Sequence, residues 1–459
     1  MMVNILDKIK KLANKYNTEI YLTGGAVRDI ILGNEINDYD FAIKDDVEKI
    51  SIEFSETISG TQLELDEKNK IYRVVKNNID YDFTALRGDS IKKDLAKRDF
   101  TINAMAIHHH NFSKIKNANK KNNINQKIIF DPYQGIIDIK NSLIRVVKLK
   151  SFEDDPIRLL RGIRFKAILN FDIEKNTEKL IYKNRKLIKK TAPERIRYEL
   201  IKIFESSNTT ELVNYMEDRV EIFSVIFPAV KILKNNDYGF SSKINSWEHV
   251  LDMLNLNNEF FQKQVINYLP KKDNIAMLKF AIIFHEYNNI INNKKISENN
   301  KRIEEIFRNL KFSNWEIKYI NMIIKYHSKV FSLYNDKNLN DSKIYDFFEK
   351  VRDFAKDILF LAALDYVSIK RLEEDGNEAS EFLHFINKLL NRYDIMIKAI
   401  KNPLLTGEEI IEVLNIREGP LVGEYLKKIK KQQALGKITT KSEAIFYLNN
   451  LNFTKDNNR

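Results

Sequence analysis

Asp38 and Asp40 stand two residues apart at the end of a stretch, 20–43 (IYLTGGAVRDIILGNEINDYDFAI), that opens and closes on strand-like residues. Alternate residues of a strand share a face, so the two carboxylates lie side by side. Such charges repel unless a cation sits between them, and hard oxygen donors suit Mg²⁺. A pair of Mg²⁺ ions can activate an attacking hydroxyl and hold a triphosphate for in-line displacement. Gly24 and Gly25 fall where the strand turns into a helix, a place for unhindered backbone N–H groups to cradle phosphate, and Arg28 adds a charge-assisted contact. Asp82, at the end of the strand-like run 80–84, is the candidate third carboxylate. Each feature alone reads as surface charge or an ordinary turn, and their joint spacing is what points to phosphoryl chemistry.

Two further stretches carry polar residues at spacings suited to a nucleoside. In DLAKRDFTINAMA (94–106), Arg98, Asp99 and Asn103 interrupt an apolar element. On a helix, Asp99 and Asn103 at i and i+4 present an acceptor and a donor to a ribose hydroxyl pair; Asp99 as a helix cap is the alternative. In DDPIRLLRGIRF (154–165), Pro156 suits a first helical turn, which puts Asp155 near the cap and strings Arg158, Arg161 and Arg164 along a drifting stripe. An Asp/Arg pair facing a cleft matches cytosine, with its amine beside N3, and adenine, with its amine beside N1. Uracil and guanine would leave buried polar groups unpaired at about 1–3 kcal/mol each. The competing reading is a surface pair of Asp154 with Arg158, worth about 0.3–0.5 kcal/mol.

The elements that must position these residues follow from the rest of the chain. Its 459 residues, 43% of them hydrophobic, suffice for two to four domains. Short β-branched or aromatic runs at 20–22, 39–43, 72–75 and 80–84 make the first 140 residues α/β in pattern. Residues 108–128 are Asn/Lys-rich and read as an exposed excursion, and three consecutive histidines within it should not converge on a metal. From 141 onward apolar residues recur at helical spacing, so the remainder reads as almost entirely α-helical. Pro193 marks a helix start, Thr406 with Glu409 a capping box, and the lysines near 427–431 a mobile basic end. The expected divisions are 1–140, 141–205, 206–395 and 396–459.

Charge and composition narrow the classes. Of the net +12, residues 1–140 hold 22 basic and 21 acidic residues, 141–200 hold 16 and 8, and 201–459 hold 38 and 35. The surplus therefore concentrates in one short segment and suggests a polyanionic partner. The absence of cysteine rules out disulfides, thiolate zinc sites and cysteine nucleophiles. No apolar run reaches the ~20 residues of a membrane span and the N-terminus is amphipathic, so a cytoplasmic protein is expected.

Taken in order, GGAVRD…DYD, RDFTINAMA, DPYQGIIDIKNSLIR, DDPIRLLRGIRF and PERIRYELIKIF resemble the five motifs of the class II tRNA nucleotidyltransferase/bacterial poly(A) polymerase family, over residues ~20–205. The resemblance implies an α+β fold, with a polymerase-β-like palm followed by a helical neck, body and tail. It implies Asp38 and Asp40 as Mg²⁺ ligands, Gly24, Gly25 and Arg28 on the triphosphate, and Arg98, Asp99 and Asn103 on the ribose. Asp155 and Arg158 would read the base, with Arg161 and Arg164 nearby, Gly135 and Asp138 at a hinge, and Glu194 and Arg195 supporting the neck. The implied partners are the tRNA 3′ end, CTP and ATP. Only residues 88–97 separate Arg87 from Arg98, where enzymes adding a complete CCA end usually carry a flexible loop; this favours CC addition. A poly(A) polymerase, an A-adding enzyme or an inactive tRNA-binding protein are the alternatives.

Further on, SWEHVLDML with His249 and AIIFHEYNN with His285 and Glu286 resemble the metal signature of an HD domain, with Glu replacing the Asp and Asp365 as the distant ligand. Glutamate is one methylene longer and would misplace a tightly set ligand. The segment from 403 onward resembles the C-terminal part of the longer members of the family.

Overall fold

The computed structural model describes residues 2–115, 125–238, 241–287, 296–373 and 377–456. It divides into two compact units, one of residues 1–203 with 211–226 and the other of 204–210 with 227–459. Residues 141–203 thus belong to the same unit as the N-terminal domain.

The first unit is built on a seven-stranded mixed sheet. Its strands are β1 (Ile20–Thr23), β2 (Asp38–Ile43), β3 (Thr61–Asp66), β4 (Ile71–Lys76), β5 (Ile79–Ala85), β6 (Ala106–His108) and β7 (Ile129–Phe130), in the order β3-β4-β5-β2-β1-β6-β7. Only β2 and β5 pair in parallel; the other neighbours are antiparallel. Strand alternation decides which side is buried. Tyr39, Phe41, Tyr81 and Phe83 turn into the core, where Tyr39 stacks on Tyr81 at 5.2 Å and Phe41 meets Phe83 at 5.4 Å. Phe54, from α3 (Val47–Ile58), closes that layer 5.2 Å from both Tyr81 and Phe83. Asp38, Asp40, Asp80 and Asp82 are left on the opposite face. Helix α1 (Met2–Lys15) buries Leu6, Ile9, Leu12 and Ala13, and α2 (Gly25–Leu32) buries Val27, Ile30 and Ile31, stopping at Gly33 with its left-handed φ of 74°.

Beyond the sheet come α4 (Ile91–Leu95), α5 (Gly135–Lys140), α6 (Ser151–Asp154), α7 (Arg158–Leu169), α8 (Lys175–Asn184) and α9 (Pro193–Phe204). The predicted start at Pro193 is found. After residue 141 the chain is almost entirely helical as expected, with two short strand pairs as the exceptions among the described residues. Asn170 adopts the left-handed conformation and ends α7, which lets Asp172–Ile173 pair in parallel with Leu143–Ile144. A second small pair joins Asp237–Tyr238 to Ser241–Asn245.

The second unit is otherwise helical, and its helix at Gly407–Leu414 carries the predicted capping box between Thr406 and Glu409. The lysines near 427–431 are not a mobile end. They lie in the helix Pro420–Ala434, where Tyr425 and Ile429 are buried and Lys431 pairs with Asp346 at 2.8 Å. Of the predicted excursion at 108–128, residues 116–124 lie outside the described residues. The part before them is only partly exposed: His110, Ser113 and Lys114 face outward, while His109, Phe112 and Ile115 are buried. A 3₁₀ turn over His109–Lys114 curls the three histidines together, bringing one nitrogen of each within 4.8 Å of the others, contrary to the expectation for consecutive residues. Two of the three rings already use a nitrogen as acceptor: His109 Nδ1 receives the Ile20 N–H and His108 Nδ1 the His110 N–H.

Candidate active site

The parallel register of β2 and β5 sets Asp38 beside Asp80 and Asp40 beside Asp82. One carboxylate oxygen from each of Asp38, Asp40 and Asp82 lies within 4.8 Å of the others. Burial, followed by the neighbouring Asp40 and Asp82, pushes the Asp38 carboxyl up to about 7. Burial also raises Asp40, against the opposing pull of Arg98. Asp38 and Asp40, made costly to ionise by burial and by the nearby Asp82, are what a divalent cation relieves, so the donor set fits the hard metal expected from the sequence.

Asp82 is tied from behind. Arg73, opposite it on β4, donates from Nε and Nη2 to both its oxygens at 2.7 Å and from Nη1 to Asp80 at 2.7 Å. Arg73 was not singled out from the sequence; its place opposite an aspartate in an antiparallel pair is the signal that marks it. Asp82 is therefore the braced member of the trio, and Asp38 and Asp40 the more open ones.

Gly24 shapes the near wall. Its φ of 71° is open to glycine, and a Cβ there would collide with Asp40 Oδ2 and lie 2.8 Å from Arg98 Nη1. Gly25 begins α2, whose N-terminus thus opens beside the carboxylates. Arg98 donates to Thr23 Oγ1 at 2.7 Å and faces Asp40 at 3.6 Å and Asp94 at 3.5 Å. Arg28, expected on the phosphates, is held in the protein by both oxygens of Asp29 (3.0 and 2.9 Å) and by Asn103 Oδ1 at 2.8 Å.

Asp99 and Asn103 do meet, though not as i and i+4 of an α-helix. The chain forms only a 3₁₀ turn over Thr101–Asn103, and Asn103 Nδ2 donates to Asp99 Oδ1 at 3.2 Å across its start. Asp99 also accepts from the Phe100 N–H at 2.8 Å and from Arg161 Nε at 2.8 Å. Burial works to raise its carboxyl, but Arg161 and these hydrogen bonds outweigh it and hold Asp99 below the usual carboxylate range.

The arginine stripe of α7 is braced by acids that the motif does not contain. Arg164 pairs at 2.7 Å with Glu199 of α9, which lies 3.8 Å from Arg161. Glu199 is buried, and burial raises its carboxyl despite both arginines. Phe165 serves as a platform, with the guanidinium carbons of Arg28, Arg161 and Arg164 at 5.4, 5.5 and 4.8 Å from its ring centre. Asp155 and Arg158 do not pair through their side chains here. Both oxygens of Asp155 accept from Arg195 at 3.0 and 2.9 Å, while Arg158 donates to Ser151 Oγ at 2.9 Å and the Lys97 carbonyl at 2.6 Å. Asp154 binds Lys148 rather than Arg158, so the surface-pair alternative is not realised. At the expected hinge, Asp131 accepts the Gly135 and Ile136 N–H groups, and buried Asp138 accepts from Thr101 Oγ1 at 2.6 Å and pairs with Arg145 at 3.1 Å.

Comparison with known proteins gives three family matches in chain order. They are the Poly A polymerase head domain over residues 20–145, a probable RNA and SrmB-binding site of polymerase A over 170–233, and a putative tRNA nucleotidyltransferase domain 2 over 294–448. The chain is 25% identical to a CC-adding tRNA nucleotidyltransferase of Thermus thermophilus, over 94% of its own length and 93% of that protein. It is 27% identical to one of Synechocystis, with coverages of 94% and 93%. The fold is similar to that of the Thermotoga maritima CCA-adding enzyme complexed with tRNA, with a TM-score of 0.62, 23% identity, and 97% and 94% of the two chains covered.

Proposed function

The chain belongs to the class II tRNA nucleotidyltransferase/bacterial poly(A) polymerase family and is a nucleotidyltransferase, and on that premise we propose that it adds cytidylate to the 3′ end of tRNA from CTP. The observation that carries the chemistry is the convergence of Asp38, Asp40 and Asp82 beside the Gly24–Gly25 turn. Asp38 and Asp40 would hold Mg²⁺, with Asp82 fixed by Arg73 as the neighbouring charge. Bound there, Mg²⁺ supplies Lewis-acid activation of the RNA 3′-hydroxyl and charge neutralisation on the triphosphate.

The chain's own groups do the rest. Gly24, lacking a Cβ, lets the phosphates approach the carboxylates, and the N-terminus of α2 offers N–H donors to them. Arg98 is positioned between Thr23 and Asp40 to meet a phosphate oxygen, and Arg28 contributes positive charge from its seat on Asp29. Asn103 and Asp99 face the ribose. Asp155 would accept from the cytosine amine and Arg158 donate to N3, with Asp155 exchanging its Arg195 partner for the base. Arg161 and Arg164 keep α7 in register with Asp99 and α9.

Addition of CC rather than a complete CCA end is supported by the link at 88–97. It is a short connection containing α4, whose Asp94 is buried and accepts the Arg87 N–H at 3.1 Å while pairing with Arg98. The test uses tRNA lacking its 3′ CCA with CTP or ATP supplied separately, read at single-nucleotide resolution. Two cytidylates and no adenylate are expected. One adenylate, a complete CCA end or a long adenylate tail would each overturn the CC reading in favour of the corresponding activity. Asp38→Ala and Asp40→Ala are expected to abolish incorporation with unchanged melting curves, and retained turnover in either would reject the metal-site assignment.

A further inference from the structure

Thr23, Asp40, Asp82 and Arg73 form one cross-strand row over β1, β2, β5 and β4. Two residues further along, Ala42, Thr84 and Ile71 form the next row on the same face of the sheet. Thr84 therefore lies roughly 7 Å from Asp82, the repeat of a strand. Thr84 and Ile71 line an open recess of about 590 Å³ whose rim carries Lys68, Lys70, Arg87 and Lys97.

The rim is cationic and its charge is unmatched. Lys68 and Lys70 come from the turn joining β3 to β4, Arg87 follows β5, and Lys97 precedes Arg98. All four are exposed, no acidic side chain lines the recess, and none of the four forms an ion pair with a described residue. Asp66 and Asp89, close by in sequence, are engaged elsewhere, the first by Asn69 at 2.9 and 2.7 Å and the second by Lys93 at 2.7 Å. The arginines around the carboxylates differ in being paired: Arg28 with Asp29, Arg73 with Asp80 and Asp82, Arg161 with Asp99. Buried Asp94 holds the two ends of the short link together, accepting the Arg87 N–H at 3.1 Å and facing Arg98 at 3.5 Å. The Lys97 carbonyl accepts from Arg158 at 2.6 Å, which ties the rim to the proposed base reader. Four exposed cations around one recess, with no carboxylate between them, make a seat for an anion.

Position selects which anion. In-line transfer sets the attacking oxygen and the departing pyrophosphate on opposite sides of the phosphorus. Gly24, the proposed approach for the triphosphate, comes one residue after Thr23; because β1 runs antiparallel to β2, it leaves the carboxylate row in the direction opposite to Thr84. It also stands on the β1 side of that row, whereas the recess stands on the β4–β5 side. The attacking strand is thus to be seated where the recess lies. We propose that the recess holds the last phosphodiesters of the RNA strand being extended, with Lys68, Lys70, Arg87 and Lys97 as the contacts. This seat presupposes that Asp38, Asp40 and Asp82 carry out nucleotidyl transfer. Ammonium and guanidinium groups on phosphates fix register without reading bases. The recess therefore brings the 3′-hydroxyl to Asp82 whatever the sequence of the acceptor end, and leaves the choice of nucleotide to Asp155 and Arg158.

The test couples a change in the RNA to a change in the full chain. Equilibrium binding is measured for tRNA lacking its CCA end, either natural or with its last two phosphodiesters replaced by uncharged methylphosphonates, to the unaltered protein and to Lys68→Ala/Lys70→Ala. Each change alone is expected to weaken binding about three- to tenfold, and the two together little more than one alone, because both remove the same contact. Lys97→Gln, on the opposite rim, should show the same coupling. Effects that simply multiply would mean that these cations do not meet those phosphates, and the proposal falls. The affinity for CTP and inhibition by inorganic pyrophosphate should be unchanged in the variants. A tenfold loss of either, with RNA binding intact, would assign the recess to the triphosphate instead. Binding requires no chemistry, so the expected coupling in a protein that adds no cytidylate would reject the proposed function and leave the RNA seat standing.

Discussion

Replacing Gly24 with alanine tests the geometry of the proposed phosphate cradle with one methyl group. Two costs can be read from the structure. The first is backbone strain, because a φ of 71° with ψ of −141° lies outside the regions open to alanine, at about 1–3 kcal/mol. The second is local, since the new Cβ collides with Asp40 Oδ2 and sits 2.8 Å from Arg98 Nη1. Relieving that collision moves a proposed metal ligand by about 1 Å, and a misplacement of that size costs on the order of 10²-fold in rate, or about 2.7 kcal/mol. Gly33 provides the control. Its φ of 74° with ψ of 23° is left-handed helical, where alanine is strained more mildly, by about 1–2 kcal/mol, at the far end of the same helix. Gly33→Ala should therefore lower the melting temperature and leave the rate nearly intact, whereas Gly24→Ala should lose about 10²-fold in single-turnover addition of CMP to tRNA lacking its CCA end. A rate for Gly24→Ala within about threefold of the unaltered protein would refute the idea that glycine is needed there to seat Asp40.

Two other perturbations probe separate parts of the first unit. Asp155→Ala removes the proposed acceptor for the base amine, so discrimination of CTP against UTP should fall by roughly ten- to a hundredfold, the worth of about 1–3 kcal/mol of unpaired polar groups; unchanged selectivity would exclude Asp155 from base reading. His109 is buried, accepts the Ile20 N–H, and is pushed down to about 4 by burial and by His108 and His110. Below about pH 6.5 the unfolded chain binds a proton there that the folded chain refuses, so its stabilising contribution is complete above that pH and drains away toward pH 4, by at most about 3 kcal/mol. His109→Asn retains an acceptor without the titration, so its melting temperature should fall less between pH 6.5 and 4.5 than that of the unaltered protein; parallel falls would contradict the assignment.

What was legible in the sequence was local in kind. Period-two alternation in 38–43 and 79–85 was enough to place aspartates on one face and aromatics on the other. The parallel pairing that brings Asp82 to Asp40 is a long-range event that no window of sequence reveals. The same limit hid Arg73 and Glu199, each of which reaches the site from a distant element. Spacing misled where the local backbone departed from its usual form. Asp99 and Asn103 meet across a 3₁₀ turn, and the three consecutive histidines converge where β6 ends at His108 and passes directly into another such turn, a change of backbone form that spacing alone does not show. Asp155 and Arg158 were expected to face a base together; each is held here by a partner from a separate element, Arg195 of α9 and the Lys97 carbonyl.

The basic segment at 141–200 divides in the same way once its partners are visible. Its arginines are largely spent inside the first unit: Arg145 on Asp138, Arg161 on Asp99, Arg164 on Glu199, Arg185 on Glu221 and Arg195 on Asp155. Several of those acids lie outside 141–200, so the count of 16 basic against 8 acidic residues overstates the charge the segment offers to a polyanion. Lys183, Lys186, Lys189 and Lys190, by contrast, are exposed within one run at the end of α8 and the turn after it. These lysines, rather than the arginines of α7, are then the expected source of long-range attraction for tRNA. Each phosphate contact contributes about 0.7–0.9 to the slope of log affinity against log salt. Replacing all four lysines with alanine should reduce that slope by up to about 3 while sparing the melting temperature, whereas Arg164→Ala, which strands buried Glu199, should lower the melting temperature and leave the slope nearly unchanged. The opposite pattern, with a slope set by Arg164 and indifferent to the lysines, would place the RNA on the α7 face instead.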